Sequence, residues 1–373
     1  MNIVAEEEFM VYALYFSCLL MNFYFAFRIR NSKFVILTTL VFIILVLGWN
    51  TGTLDNVNYI RHYTNISVGV YSSNKYEFMF VWLMELGNKL GLDWFMFKLL
   101  IACACVPLVY NTINLFTKNL SFVYFFYLLH AFFMDAEQFR NFIALSIFIF
   151  SIRFLLKKNK KSKFLYLMCV LLAASIHSSF ILFLPLVILE GVNKNKFVKS
   201  IAALSLILCI LTFFNGNRIP VIDNFMENLV LDSNNIERYL NSSTRFGFVI
   251  PFLLHILNFM TIYMAKKYKD RFQIGNTRQN EYINLIFWTN VFMFVFFPLF
   301  MKSITFYRLT RDLSILNFIA LSIVYDWLKK NNERKSIFNF VIFLNVFIWF
   351  TYDLLIRADE ILIPIFRDNL YLK

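Results

Sequence analysis

Twelve apolar runs, at about 9–27, 34–49, 93–116, 119–134, 140–156, 163–176, 179–190, 198–214, 248–265, 282–300, 313–328 and 337–351, leave this chain few stretches able to stand in water. Crossing a bilayer core takes about 20 apolar residues in a helix, although short crossings of about 15 occur in packed bundles. With 60% of its 373 residues apolar, 16% charged and a mean hydropathy of +0.63, the chain has lipid as its solvent. The expectation is an all-α integral membrane protein of about twelve transmembrane helices (range 11–14). It forms one polytopic domain over 1–373, with outer loops at about 50–92, 215–247 and 301–312. The segment at 76–90 carries Glu77, Glu85 and Lys89, which suits an interfacial or re-entrant helix rather than a crossing.

Connecting segments set the orientation. The turns at 28–33, 157–163, 193–199, 266–271 and 329–335 are strongly basic, and Lys118 adds a sixth, so all six are expected inside. An even number of passes must then separate consecutive turns. Segment 164–190 is one apolar stretch flanked by basic clusters at both ends. A hairpin of two short helices satisfies the count and puts its apex near Ser175 to Ser179, around His177; a single long crossing with one misplaced cluster is the alternative. Both termini then lie outside, and MNIVAEEEFM lacks the basic start of a cleaved signal peptide.

On this topology the inner turns hold 16 of 21 Lys but 6 of 15 Arg. A net charge of +13 would suggest nucleic acid in a soluble protein; here Lys is the topology signal and no nucleic acid is expected. Nine arginines fall outside: Arg61, Arg140, Arg218, Arg238, Arg245, Arg308, Arg311, Arg357 and Arg367. Guanidinium forks bind phosphate or carboxylate in a bidentate way, so the set points to an anionic ligand, the plainer reading being salt bridges to Asp55, Glu77, Glu137 or Asp312.

Four constellations carry chemistry. A helix over 52–65 stacks Asp55, Tyr59 and Tyr63 on one face. MDAEQFRNF (134–142) places Asp135, Glu137, Gln138 and Arg140 at the mouth of two crossings, where a Glu137–Arg140 pair is the bland alternative. His177 sits among serines at the hairpin apex, whereas His130 and His255 read as structural histidines and His62 stays open. FYRLTRDL (306–313) presents Arg308 and Arg311 three residues apart, enough to clamp one phosphate, and loop 215–247 adds Arg238, Tyr239 and Arg245. Cys18, Cys103, Cys105, Cys169 and Cys209 lie in apolar stretches with no metal or disulfide spacing. There is no HExxH, GxSxG, P-loop or DxD, so neither metal nor cofactor is expected.

In order along the chain, Asp55-x-x-x-Tyr59, Tyr76-Glu77, Gln138-x-Arg140 with Ala144, Ala174-x-x-His177-Ser178-Ser179, Arg238 to Ser242 and Arg308/Arg311 resemble the EpsG-type branch of the Wzy-like bacterial polysaccharide polymerases. The resemblance spans about 50–315 and implies a GT-C-like membrane glycosyltransferase architecture in the bacterial inner membrane, with its active site facing outward. It implies a polymerase that joins oligosaccharide repeats carried on undecaprenyl diphosphate into O-antigen, capsule or exopolysaccharide, with membrane lipid around it and a chain-length regulator as a possible partner. Arg140, Arg308 and Arg311 then hold the diphosphate. His177 is the first candidate base, with Glu137 and Asp55 behind it, while Tyr59, Glu77, Gln138, Arg61, Arg238 and Tyr239 bind substrate. A flippase or transporter of the lipid-linked unit and a lipid-linked-glycan ligase are the alternatives; polar residues gathered at one face, with no internal repeat, favour an enzyme.

Overall fold

The computed structural model describes residues 2–29, 32–70, 76–157, 159–189, 194–217 and 246–369. Among these every apolar run is helical and no strand forms; Asn50 and Asn369 meet only in an isolated bridge. Helices α1 (Asn2–Tyr24), α2 (Lys33–Trp49), α3 (Leu54–Ser67), α4 (Phe78–Lys89) and α5 (Trp94–Phe116) are followed by α6 (Leu120–Leu129), α7 (Ala131–Glu137), α8 (Phe139–Leu155) and α9 (Lys160–Ile176). Then come α10 (Lys194–Phe214), α11 (Val249–Phe272), α12 (Thr277–Phe292), α13 (Phe297–Lys302), α14 (Arg308–Arg311), α15 (Ser314–Lys330), α16 (Ser336–Phe350) and α17 (Ile363–Arg367).

Among the described residues six helical stretches are long and apolar enough to cross a bilayer unaided: Val11–Ile29, Trp94–Phe116, Lys196–Phe214, Val249–Phe272, Thr277–Lys302 and Ser336–Leu355. The other runs form shorter apolar legs, and together they make a multi-pass membrane protein. At twelve residues, α4 is about 18 Å long, well short of the roughly 30 Å hydrocarbon core.

Polar side chains tie the basic turns together at one pole. Asn119 Nδ2 donates to the Ala26 carbonyl (3.1 Å) and to Asp326 Oδ1 (2.9 Å), and Gln279 Nε2 donates to the Phe116 carbonyl (2.9 Å). Phe272 stacks on Trp327, and Lys335 Nζ lies 5.6 Å from the Tyr325 ring. Three of the helices that set out from this pole start on asparagine: Asn119, Asn159 and Asn276 cap α6, α9 and α12 by accepting from the backbone amide three residues on. The cap satisfies an amide that the first turn would otherwise leave open. Gln279 completes a reciprocal capping box.

The expected hairpin is present. α9 ends at His177, whose extended backbone (φ −144, ψ 109) reverses the chain into a 3₁₀ leg, Ser178–Ile188. Tyr166 Oη closes the two legs by donating to the Phe183 carbonyl at 2.7 Å, and Phe183 stacks on Phe148 of α8 at 4.3 Å. A 3₁₀ helix rises about 2.0 Å per residue against 1.5 Å in an α-helix, so eleven residues reach roughly 22 Å instead of 16 Å.

At the opposite pole the rods break. α6 and α7 part at His130 (φ −140, ψ −73), α7 and α8 at Gln138 (φ −99, ψ 60), and α12 continues through α13 and short 3₁₀ turns into α14 and α15. The C-terminal stretch carries π-helical turns at Thr351–Leu355 and Ala358–Leu362. Irregular backbone at membrane depth persists only where protein or a water-filled space satisfies it, so these breaks make this pole the candidate for a functional site.

Asn56 on α3 fastens this pole. Its Oδ1 accepts from Trp94 Nε1 (2.9 Å) and from the fully buried Lys98 Nζ (3.1 Å), and Lys98 also donates to the Asn50 carbonyl at 3.0 Å. Asn56→Leu strips both buried donors of this acceptor and is expected to cost about 3 kcal/mol, a cost of the order of breaking a buried charge contact. An unchanged unfolding midpoint in detergent would refute that role.

Candidate active site

Glu77 is the hub of one half of the site. It caps α4 in extended conformation; its Oε1 accepts the Ser178 backbone N–H at 2.8 Å, and its Oε2 pairs with Arg140 Nη1 in the first turn of α8. One carboxylate thereby joins the 76–90 segment, the hairpin apex and the guanidinium. Arg140 lies 5.0 Å over the Tyr76 ring, which in turn meets His62 (4.9 Å) and Tyr59 (5.5 Å). Tyr59 is buried, and burial raises its pKa, as it pushes that of Tyr76 up to about 12, so both stay neutral donors. His177 Nδ1 sits 3.0 Å from Ser179 Oγ. The ring is half-buried by surface yet deep in the fold. Burial first, and then the charges of Arg140, Arg308 and Arg311, hold its pKa well below the imidazole value.

The other half centres on Arg311, 2% exposed. Its Nη2 donates to Gln138 Oε1 at 2.6 Å, so the α7–α8 joint and α14 hold each other. Asn141 Nδ2 donates to Asp312 Oδ1 (3.0 Å), and Tyr127 Oη donates to Asp135 Oδ2 (2.9 Å). Burial raises Asp135 to about 7 and Asp312 to about 6 against the opposing pull of Arg311. Between the halves, the Asp55 backbone N–H in the first turn of α3 donates to the Glu137 carboxylate. Burial, then the nearby Asp55 charge, raises Glu137 to about 7, with Arg308 and Arg357 pulling it down.

Five buried polar atoms here have no hydrogen-bond partner among the described residues: Arg140 Nε, Arg308 Nε, Arg311 Nη1, Glu137 Oε2 and Asp312 Oδ2. Each such atom costs about 1–3 kcal/mol, so several in one place call for a ligand that supplies the partners. Three of the five are guanidinium nitrogens, which specify an acceptor-rich anion. Among the described residues no three His, Cys, Asp or Glu side chains group as metal ligands. A cavity of about 320 Å³ lies at the other pole, between Asn114–Lys118 and Asn276–Gln279, and none of the cluster residues lines it.

Of the residues singled out in the sequence, the structure gathers His177, Arg140, Glu137, Asp55, Arg308, Arg311, Tyr59, Glu77 and Gln138. Arg61 does not join them: it is exposed on α3, two residues past buried Tyr59 and so turned away from it. Arg238 and Tyr239 lie outside the described residues. The Glu137–Arg140 pair does not form, because Arg140 turns to Glu77. Sequence reasoning missed Asn141 and Asp353 as site neighbours, and Lys98; the last had a signal, a lysine inside an apolar run. His255 is a core histidine away from the cluster, its Nε2 3.1 Å from the Asn290 carbonyl and its Nδ1 without a hydrogen-bond partner among the described residues.

The family model of the EpsG family matches residues 31–364. No curated protein and no solved structure matches the chain.

Proposed function

The chain belongs to the EpsG family of Wzy-like polysaccharide polymerases, and on that footing we propose that it joins lipid-linked oligosaccharide repeats by glycosyl transfer at the arginine-lined pole, on the outer face of the membrane. The observation that carries the reading is the set of unpartnered guanidinium nitrogens of Arg140, Arg308 and Arg311 around one histidine. The donor is a glycan chain on undecaprenyl diphosphate, the acceptor a hydroxyl of a single lipid-linked unit. As the acceptor oxygen bonds to the anomeric carbon, the bond to the diphosphate oxygen breaks, and the leaving diphosphate gains charge. Guanidiniums already aimed at that oxygen stabilise the charge without reorganising.

The hydroxyl proton goes to His177. With Nδ1–H donating to Ser179 Oγ, Nε2 presents its lone pair. Burial, and then three neighbouring cations, keep the ring neutral in the free protein, and a bound diphosphate offsets the cations and so raises its basicity. A second acceptor is supported by a specific observation, the unpartnered Oε2 of Glu137 on a carboxylate raised to about 7. Because guanidiniums supply the positive charge, excess EDTA is expected to leave polymerisation intact.

Purified protein given only the lipid-linked repeat, with no nucleotide sugar, is expected to produce a ladder of lipid-linked products on a gel. Unit-by-unit translocation across vesicles without any ladder would replace the polymerase by a flippase. Transfer of whole chains to a second lipid without elongation would replace it by a ligase.

A further inference from the structure

Arg311 is deeply buried, yet among the described residues no carboxylate forms an ion pair with it. A buried guanidinium ordinarily takes a carboxylate in a bidentate grip. Here three carboxylates, Asp135, Asp312 and Asp353, act on it only through their field, and each is tethered by a partner of its own. Tyr127 holds Asp135 and Asn141 holds Asp312. Asp353 is the most heavily engaged: His130 Nε2 lies 2.9 Å from Oδ2, Tyr307 Oη donates to Oδ1 at 2.6 Å, and Arg357 stands 3.9 Å away.

Asp353 is fully buried in the π-helical turn Thr351–Leu355, and His130 is the residue at which α6 and α7 part. Tyr307 packs on Trp349 (6.0 Å, 21°) and stands 5.8 Å from the Arg311 guanidinium. The contacts run from a helix break, through one carboxylate, to the ring beside the arginine.

Resting on the reading of Arg311 as a diphosphate ligand, we propose that Asp353 is a positioning residue. Clasped by His130 and Tyr307, it fixes the ring and the negative charge beside Arg311 without touching it, so that one edge of the fork stays open for the anion. Direct pairing would compete with the ligand; distant charge offsets burial of the guanidinium and leaves Nη1 unoccupied. His130, with no other role in the site, is one jaw of the clasp.

A double-mutant cycle on binding of undecaprenyl diphosphate to the full chain in nanodiscs tests this. Arg311→Ala and Asp353→Asn are each expected to weaken binding about tenfold, and the double variant to be within about twofold of Arg311→Ala alone. Tyr307→Phe, which removes only the hydroxyl that grips Asp353, should reproduce part of the loss and carries the cycle should Asp353→Asn fail to fold. Additive losses, or wild-type affinity in both Asp353→Asn and Tyr307→Phe, overturn the positioning role and leave Arg311 as a ligand. Wild-type affinity in Arg311→Ala overturns the ligand reading, and the positioning role falls with it.

Discussion

Arg140→Ala is expected to lower ladder formation by about 10²–10³-fold, the usual cost of removing one preorganised donor from a developing anion. Arg140→Lys should recover little of it. Its guanidinium gives one nitrogen to Glu77 while Nε remains unpartnered, an arrangement that needs a planar group with several donors. A single ammonium at the end of a flexible stem can satisfy Glu77 or the ligand, but not both in fixed geometry. Glu77→Gln is the informative companion: it keeps the shape, removes the charge that pins Arg140, and weakens the tie to the Ser178 amide. Its expected loss is smaller, and it should fall on kcat and KM together, because both the anion site and the histidine loop shift. Elongation within a few-fold of wild type in Arg140→Ala would remove this arginine from the chemistry.

The second large effect concerns the base. His177→Gln is expected to lose about 10²–10⁴-fold in elongation, the range for a positioned proton acceptor. The pH profile separates it from Glu137. A carboxylate accepts a proton only when ionised, so catalysis by Glu137 makes kcat/KM rise through about pH 7 and level off above, a limb that Glu137→Gln abolishes. Catalysis by His177 predicts no such limb in kcat/KM: the ring in the free protein is already neutral across that range, its pKa held down by burial and by three guanidiniums. A limb from His177 can then appear only in kcat, where bound diphosphate offsets those cations while the burial remains. Measuring both parameters from about pH 5.5 to about pH 8.5 in the two variants assigns the proton.

Much of this arrangement could be read from residue order. Parity of the basic turns favours a hairpin over 164–190 against a single long crossing with one misplaced cluster, and the polar stretch Ser175 to Ser179 puts His177 at its apex. The four-residue spacing of Asp55, Tyr59 and Tyr63 likewise gives the helix that exists. What stayed hidden depends on contacts between segments distant in the chain. Arg140 had Glu137 three residues away and chose Glu77, 63 positions back, because the break at Gln138 takes Glu137 off the α8 helical ladder. Arg61 shows the converse: its charge and its neighbours fit the pattern, but two residues on a helix is more than half a turn, which sends it outward. Asp353 gave no sign at all, since its partners His130 and Tyr307 come from two other breaks.

The return leg of the hairpin has a consequence for how its sequence can vary. Phe180, Phe183 and Leu186 are all buried, and they recur every three residues because that is the pitch of a 3₁₀ turn. This leg is read in triplets while every α-helix around it is read in sevens. Substitutions that keep a bulky apolar group at each third place should pass unnoticed. Loss of one residue between Phe183 and Leu186 swings the rest of the leg by about 120° and shifts the frame of the row. Length in this short stretch is therefore more tightly fixed than composition, the reverse of what holds for the lipid-facing helices.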